Sequence, residues 1–195
     1  TRYLTAAGVT QFLDIGTGIP TSPNLHETAE AITPEARVVY VDNDPVVLAH
    51  ARAMMAPRDP SGTAYIDADL HSPDSILTAP DLTRVLDLTQ PVALMVIAVL
   101  MLIAEDDDPY AKVEVLRDAL PSGSYLALTH PTGDFAPDAM AGRHRRGHRR
   151  RDDLRAPHPG PGAALHRRLG ARLPRDRSGA GMAAGDRAGR PAVGL

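Results

Sequence analysis

The sequence predicts an α/β protein with a parallel β-sheet. Apolar runs rich in β-branched residues alternate with helical patterns over the first 140 residues. These runs are almost continuously apolar, as expected for strands buried on both faces of a sheet. The 195 residues, 43 % of them hydrophobic, suffice for one domain with its own core.

Five strands are predicted between turn signals. They cover Gln11–Ile15, Arg37–Asp42, Thr63–Ala68, part of Pro91–Ile103, and Ser124–His130. Each run is bounded by Gly, Pro or Asp, which interrupt regular structure.

Three helices are predicted between these strands, over Asn24–Ile32, Asp44–Met55 and Pro109–Leu120. In the second of them, Asp44 is placed to cap the helix and Pro45 occupies its first turn. Strict alternation of strand and helix is what makes the predicted sheet parallel.

The composition excludes several classes of protein. Cysteine is absent, so neither a disulfide scaffold nor a thiolate metal site is expected. No apolar stretch reaches the about 18 residues of a membrane helix, and no signal peptide opens the chain. A cytoplasmic protein without a membrane partner is therefore expected.

Charge is divided unevenly along the chain. Residues 1–140 contain 7 basic and 20 acidic residues, whereas residues 141–195 contain 14 Arg and 4 Asp. Arg, Gly, Ala and Pro supply 39 of these last 55 residues. Such a segment has too little apolar surface to offset its ordering entropy. We therefore divide the chain into a globular core over 1–141 and a tail over 142–195 that is expected to be disordered.

Three explanations of the tail are open. It is a basic arm that binds nucleic acid, a flexible linker, or the product of a shifted reading frame in a GC-rich gene. Arg outnumbers Lys by 20 to 1 in the chain, which favours the shifted frame. The acidic core argues against a nucleic-acid partner.

A glycine-rich turn follows the first predicted strand. Asp14, Gly16, Thr17 and Gly18 lie in the sequence DIGTG, where glycine lets the backbone approach a ligand closely. Ligands of open parallel sheets bind at the carboxyl ends of the strands. The motif alone is weak, because glycine also marks ordinary turns.

Two further acids strengthen the motif. Asp42 ends the second strand and Asp69 follows the third. A carboxylate in the place of Asp42 can accept from both hydroxyls of a ribose, and one in the place of Asp69 can accept from the amine of adenine. Each acid alone is equally well explained as an N-cap. Three acids at the ends of three successive strands are harder to attribute to chance.

The rival ligand is NAD. Its fingerprint has a third glycine three residues after the second, where this chain has Thr21 preceded by Pro20. The pattern therefore favours a ligand with an adenosine end and an amino-acid end, whose amino group would face Asp14.

The order DIGTG, YVDND, DADL and, after an apolar strand, EDDDPY is similar to that of class I S-adenosylmethionine-dependent methyltransferases. More narrowly, QFLDIGTGIPT, ARVVYVDNDPVVLAHARAMM and LPSGSYLALTH resemble the S-adenosyl methyltransferase family of high-GC bacteria, over residues 2 to 140. The resemblance implies a Rossmann-like, mostly parallel sheet, the cofactor S-adenosyl-L-methionine, and methyl transfer to a small-molecule acceptor. It implies that the cofactor is bound by Asp14, Gly16, Thr17, Gly18, Asp42, Asn43, Ala68, Asp69 and Leu70.

The chain departs from the family in three places. It begins at Thr1, whereas the family has a helical segment before the sequence RYL. Met101 replaces the His of the family's Val-Leu-His-Phe, and the last strands with a Trp-Arg-Pro ending are missing. These departures favour an alternative, a module that binds the cofactor without turnover. They also leave the fifth strand as an exposed edge, from which a homodimer or low solubility is expected.

Three side chains are candidates for the acceptor side. His130, after the fifth strand, is a candidate base, although a lone histidine more often caps a loop. His26 matches a His-Glu pair of the family and is a candidate for substrate contact, with a solvated first helical turn as the alternative. Met101 is a candidate by position, although Met95, Met101 and Leu102 are also expected in the core. No metal site is predicted.

Overall fold

Five parallel strands form a single sheet in the order β3-β2-β1-β4-β5. The structure is a computed structural model and describes residues 1–54 and 60–131. The predicted tail over 142–195 lies outside these residues. The strands are β1 (Gln11–Ile15), β2 (Arg37–Asp42), β3 (Thr63–Asp67), β4 (Ala93–Ile97) and β5 (Tyr125–Thr129). The α/β class and the parallel sheet are confirmed.

Six α-helices accompany the strands within the described residues. They are α1 (Arg2–Ala6), α2 (Leu25–Glu30), α3 (Pro45–Met54), α4 (Pro73–Leu77), α5 (Pro80–Val85) and α6 (Pro109–Asp118). The predicted helices correspond to α2, α3 and α6 with slightly shorter ends.

The remaining helices were not predicted from the sequence. α1, α4 and α5 contain only five or six residues, too few to display a helical period of apolar positions. α4 and α5 also begin at a proline, which suits the first helical turn but reads as a break in a sequence. The predicted fourth strand is shorter than its apolar run, because Leu100–Leu102 form a 3₁₀ turn instead.

The predicted cap of α3 is present. Asp44 Oδ1 accepts a hydrogen bond from the Val46 amide at 2.8 Å, and the Asp44 carbonyl accepts from the Leu48 amide at 3.1 Å. The cap sets the start of α3 immediately after β2, so that Asp42 and Asn43 occupy the short connection at the carboxyl edge of the sheet.

Helices cover both faces of the sheet. Successive residues of a strand point to opposite faces, so each strand contributes side chains to two cores. On one face, Leu13, Val39 and Leu94 pack with side chains of α4, α5 and α6. On the other face, Phe12 and Tyr40 pack with side chains of α1, α2 and α3. β1 is the central strand, so the loop that follows it opens at the middle of the carboxyl edge.

No helix in the described part of the chain is both long enough and apolar enough to cross a membrane.

Candidate cofactor site

The DIGTG turn crosses from the end of β1 toward the end of β2. The amides of Gly16 and Thr17 both donate to the Val41 carbonyl, at 2.9 and 3.2 Å. Gly16 has a φ of +73° and Gly18 a φ of +65°, values that residues with side chains rarely adopt. A Cβ atom on Gly16 would lie 2.6 Å from Val99 Cγ2, whereas one on Gly18 would meet no atom within 4 Å. Packing therefore requires glycine at position 16, while Gly18 borders open space.

Asp42 is held by two backbone amides. Its Oδ2 accepts from the Gly18 amide at 2.9 Å, and its Oδ1 accepts from the Asp44 amide at 2.9 Å. Each carboxylate oxygen has about two acceptor positions, so one position remains on each oxygen. Two adjacent acceptors of this kind match two neighbouring hydroxyls on a ribose.

Asp69 lies in the loop after β3, beside the connection that follows β2. Its Oδ1 accepts from the His71 amide at 2.8 Å and contacts His71 Nδ1 at 2.6 Å. Its Oδ2 accepts from Asn43 Nδ2 at 2.8 Å. Partial burial raises the pKa of Asp69, but the hydrogen bonds from His71 and Asn43 outweigh this effect and hold the pKa below its usual value. Asp69 is therefore an ionised hydrogen-bond acceptor at neutral pH.

The neighbours of Asp69 are already engaged with the protein. The Ala68 amide donates to the Asp42 carbonyl at 3.3 Å, which joins the two loops directly. The Leu70 side chain is buried in the core, so it anchors the loop from within. The Ala68 amide and the Leu70 side chain are therefore not free to contact a ligand, whereas the partly exposed Ala68 side chain is.

Asp14 is a carboxyl group in an unusual environment. Burial and, to a smaller extent, the negative charge of Asp42 raise the pKa of Asp14 to about 7. Strongly shifted carboxyl groups beside a cleft are typical of functional sites. A ligand ammonium group beside Asp14 would favour its ionised form and compensate for the burial.

The segment between Gly18 and α2 differs from a dinucleotide site. α2 begins at Leu25, seven residues after Gly18. In the dinucleotide fingerprint, the helix begins within the glycine motif, so that its N-terminus meets the pyrophosphate. The geometry therefore supports the preference for a ligand other than NAD.

The chain after β4 lies against the glycine turn. Ala98 has a φ of +56°, an uncommon conformation for a residue with a Cβ. Its amide donates to Thr129 Oγ1 at 2.9 Å, which links the ends of β4 and β5. The next residue, Val99, is the one that approaches Gly16. The glycine turn and the end of β4 are therefore in direct contact.

The prediction that the Met101 and Leu102 side chains lie in the core is wrong. Met101 is 47 % exposed and Leu102 is 78 % exposed, because the 3₁₀ turn directs Leu100 inward instead. Met95 lies in the core as expected, at 7 % exposure. The exposed position of Met101 leaves it accessible to a substrate.

His130 follows β5 at the same edge of the sheet. Its Nδ1 lies 2.7 Å from the Pro131 carbonyl oxygen. Because a carbonyl oxygen only accepts, Nδ1 carries the proton in the neutral ring and Nε2 carries the lone pair. This is the form that a general base requires, and the catalytic role of His130 stays a prediction.

His26 is a buried residue at the start of α2. Its amide donates to Tyr40 Oη at 2.9 Å, and its Nδ1 lies 2.9 Å from the same oxygen. Burial lowers the pKa of His26, so the ring is neutral near pH 7. The solvated first turn is therefore wrong for His26, although it describes the exposed Glu27, which accepts from the Asn24 amide. Contact of His26 with substrate stays a prediction.

No group of three or more His, Asp or Glu side chains in residues 1–54 and 60–131 is arranged to hold a metal ion. The histidines of the tail lie outside that part of the chain.

The geometry of these residues is compatible with a ligand that has an adenosine end and an amino-acid end. Gly18 leaves room for a ligand beside the backbone, Asp42 presents two acceptors, and Asp69 presents an ionised acceptor one loop further along. The parallel strand order 3-2-1-4-5, with these acids at the carboxyl edge of the sheet, is that of a Rossmann-like fold. The sequence profile described as S-adenosyl methyltransferase matches residues 1–156, and the chain belongs to that family.

Two proteins are among the solved structures that are similar to this chain. A DUF574 family protein from Streptomyces avermitilis is 48 % identical, with a TM-score of 0.70, over 80 % of this chain and 62 % of that protein. A protein from Thermobifida fusca, provisionally described as a methyltransferase, is 43 % identical with a TM-score of 0.67, over 74 % of this chain and 53 % of that protein. The chain thus spans between half and two thirds of the length of these relatives. No curated protein matches the sequence.

Proposed function

We propose that the protein transfers a methyl group from S-adenosyl-L-methionine to a small-molecule acceptor. The observation that carries the proposal is the hydrogen bonding of Asp42, which leaves one acceptor position on each carboxylate oxygen beside an open glycine turn. Family membership and the strand order support it.

In this proposal, the cofactor lies across the carboxyl edge from β1 to β3. The backbone of Gly16, Thr17 and Gly18 faces the methionyl part, and Asp14 accepts from its amino group. Asp42 accepts from the two ribose hydroxyls. Asn43, Ala68 and Asp69 lie beside the adenine, and Leu70 contributes only backbone contacts because its side chain anchors the loop in the core.

When bound, the cofactor would supply a methyl group on a sulfonium sulfur, and in-line attack by the acceptor would leave S-adenosylhomocysteine. The protein contributes position and surroundings. His130 is the proposed base, because its Nε2 holds the lone pair that would take a proton from the acceptor. Three apolar side chains are exposed in this region and favour an acceptor with an apolar part: Ile19 after β1, Ile97 at the end of β4, and Met101 in the 3₁₀ turn after β4.

One observation favours a second function, binding of the cofactor without turnover. Met101 stands where the family resemblance described above places a histidine, and its side chain is 47 % exposed. A thioether can neither donate nor accept a proton, so an acceptor that needs one there would not react.

Two measurements distinguish the two functions. Calorimetry with S-adenosylhomocysteine, with NAD as the comparison ligand, tests cofactor binding. Transfer of a radiolabelled methyl group to a mixture of small-molecule acceptors tests turnover. Binding with turnover supports methyl transfer, and binding without turnover supports the second function. Preference for NAD, or no binding at all, would refute both.

We also propose that two copies associate through β5. β5 pairs with β4 on one side, no other described strand pairs with it, and Tyr125 at its start is 41 % exposed. An unpaired edge strand invites pairing with another chain. A monomer in light scattering across a range of protein concentrations would contradict this proposal.

A further inference from the structure

We propose that His71 is a positioning residue that orients Asp69 so that the site distinguishes adenine from a 6-oxo purine. The inference rests on the proposed function, because it assumes that Asp69 faces the base of the cofactor. It concerns a residue that the sequence did not single out.

The first step is the number of hydrogen bonds that Asp69 already accepts. A carboxylate has about four acceptor positions, two on each oxygen. The amide and ring of His71 occupy both positions on Oδ1, and Asn43 occupies one on Oδ2. One position on Oδ2 therefore remains, and the side chain is 42 % exposed, so a ligand can reach it.

The second step is the chemistry of that remaining position. An ionised carboxylate accepts and cannot donate. The amino group of adenine is a donor and matches it, whereas the carbonyl oxygen of a 6-oxo purine is an acceptor and is repelled. A 6-oxo purine also carries an N1–H donor next to its carbonyl group, and a freely rotating carboxylate could turn to accept from it. The choice between these bases therefore depends on Asp69 keeping one orientation.

The third step is that the His71 ring restricts this orientation further, beside the His71 backbone amide that every variant keeps. Nδ1 lies 2.6 Å from Asp69 Oδ1, and a carboxylate oxygen requires that Nδ1 carry the proton. The other ring nitrogen, Nε2, lies 3.8 Å from Asp107 Oδ2, at ion-pair distance. Asp107 belongs to the 3₁₀ turn Glu105–Asp107 after β4. The ring thus has two separable contacts, and only the first bears on Asp69.

Substituting His71 by asparagine or glutamine tests its contact with Asp69 separately from its contact with Asp107. His71→Asn keeps a donor near the place of Nδ1 and loses the group near Asp107. His71→Gln keeps a donor near the place of Nε2 and loses the contact with Asp69. His71→Ala removes both. His50→Ala is the matched control, because His50 is another exposed histidine, on α3, whose ring contacts the Val46 carbonyl.

The experiment measures the affinity of the full chain for S-adenosylhomocysteine and for its 6-oxo analogue, S-inosylhomocysteine, by calorimetry. We expect wild type, His50→Ala and His71→Asn to prefer the adenine compound. In His71→Ala and His71→Gln, affinity for the adenine compound should fall about tenfold, as for loss of one charge-assisted contact, with little change for the analogue. A merely structural role would weaken both ligands equally.

Several results would overturn the inference. They are equal loss for both ligands in His71→Ala, an unchanged preference in that variant, or rescue by glutamine instead of asparagine. Wild type that binds S-adenosylhomocysteine without preferring adenine would also overturn it, while the proposed function would stand. Wild type that binds neither ligand would overturn both.

Discussion

Replacement of Asp42 by asparagine tests the proposed ribose contact. The carboxylate accepts from two backbone amides and leaves about two acceptor positions for hydroxyls. An asparagine has only one carbonyl oxygen. Its amino group therefore faces either the Gly18 amide or the Asp44 amide, and one ribose hydroxyl loses its acceptor. The remaining hydrogen bonds lose their charge.

The expected size of the effect follows from these contacts. A hydrogen bond to a charged group contributes about 1.5–3 kcal/mol. Loss of one such bond and weakening of the other should cost about 2–4 kcal/mol, or roughly a 30- to 1000-fold higher Kd. A smaller effect opposes this loss, because removing the charge of Asp42 lowers the pKa of Asp14 and favours its ionised form.

The assay is calorimetry with S-adenosylhomocysteine at pH 8, where Asp14 is ionised. Thermal unfolding of the same samples checks that the fold is intact, with about 1 kcal/mol of destabilisation expected for the backbone amide that loses its partner. The control is Asp81→Asn, which removes an exposed carboxylate paired with Arg84 on α5. A folded Asp42→Asn protein with a Kd within threefold of wild type would refute the assignment of Asp42 to the ribose.

Four further predictions concern the site and the residues that support it. Affinity for S-adenosylhomocysteine should rise with pH up to about 7 and then level off, because the ligand ammonium favours ionised Asp14; a flat calorimetric profile would contradict this. Without ligand, the raised pKa predicts that stability falls as pH rises from about 4 to 7, since the unfolded chain ionises first. Gly18→Ala should cost about 1–2 kcal/mol of stability through its positive φ. Gly16→Ala should cost more, because its Cβ also meets a neighbouring side chain; equal losses in urea denaturation would argue against this contact. Tyr40→Phe should lower the free energy of unfolding by about 2–4 kcal/mol, because it leaves the amide and Nδ1 of the buried His26 without their partner. A loss below about 0.5 kcal/mol would show that water replaces the hydroxyl.

Much of the fold could be predicted because the relevant signals are local. The bounds of β1 and β2 match the predicted Gln11–Ile15 and Arg37–Asp42, since a strand buried on both faces is a continuous apolar run that turn residues interrupt. Asp44 was recognisable as a cap because its partners follow it directly in the chain.

Other features depend on residues that are distant in sequence. His26 is placed at the start of a short helix, and only the packing of α2 on the sheet brings it to the Tyr40 hydroxyl. Met101 and Leu102 continue an apolar run, yet they face outward because the chain turns after β4. A single sequence does not state which part of an apolar run enters the core.

The sequence by itself determined the class of fold and which acids stand at strand ends, because strand periodicity and turn residues act between neighbours in the chain. Only the tertiary structure decided what those acids contact. The strand order places β3 beside β2, so the side chains of Asn43 and Asp69 form a hydrogen bond although 26 positions separate them. The packing of the loops also places the His71 ring between Asp69 and Asp107. Such contacts arise from sheet order and loop packing, which depend on the whole chain.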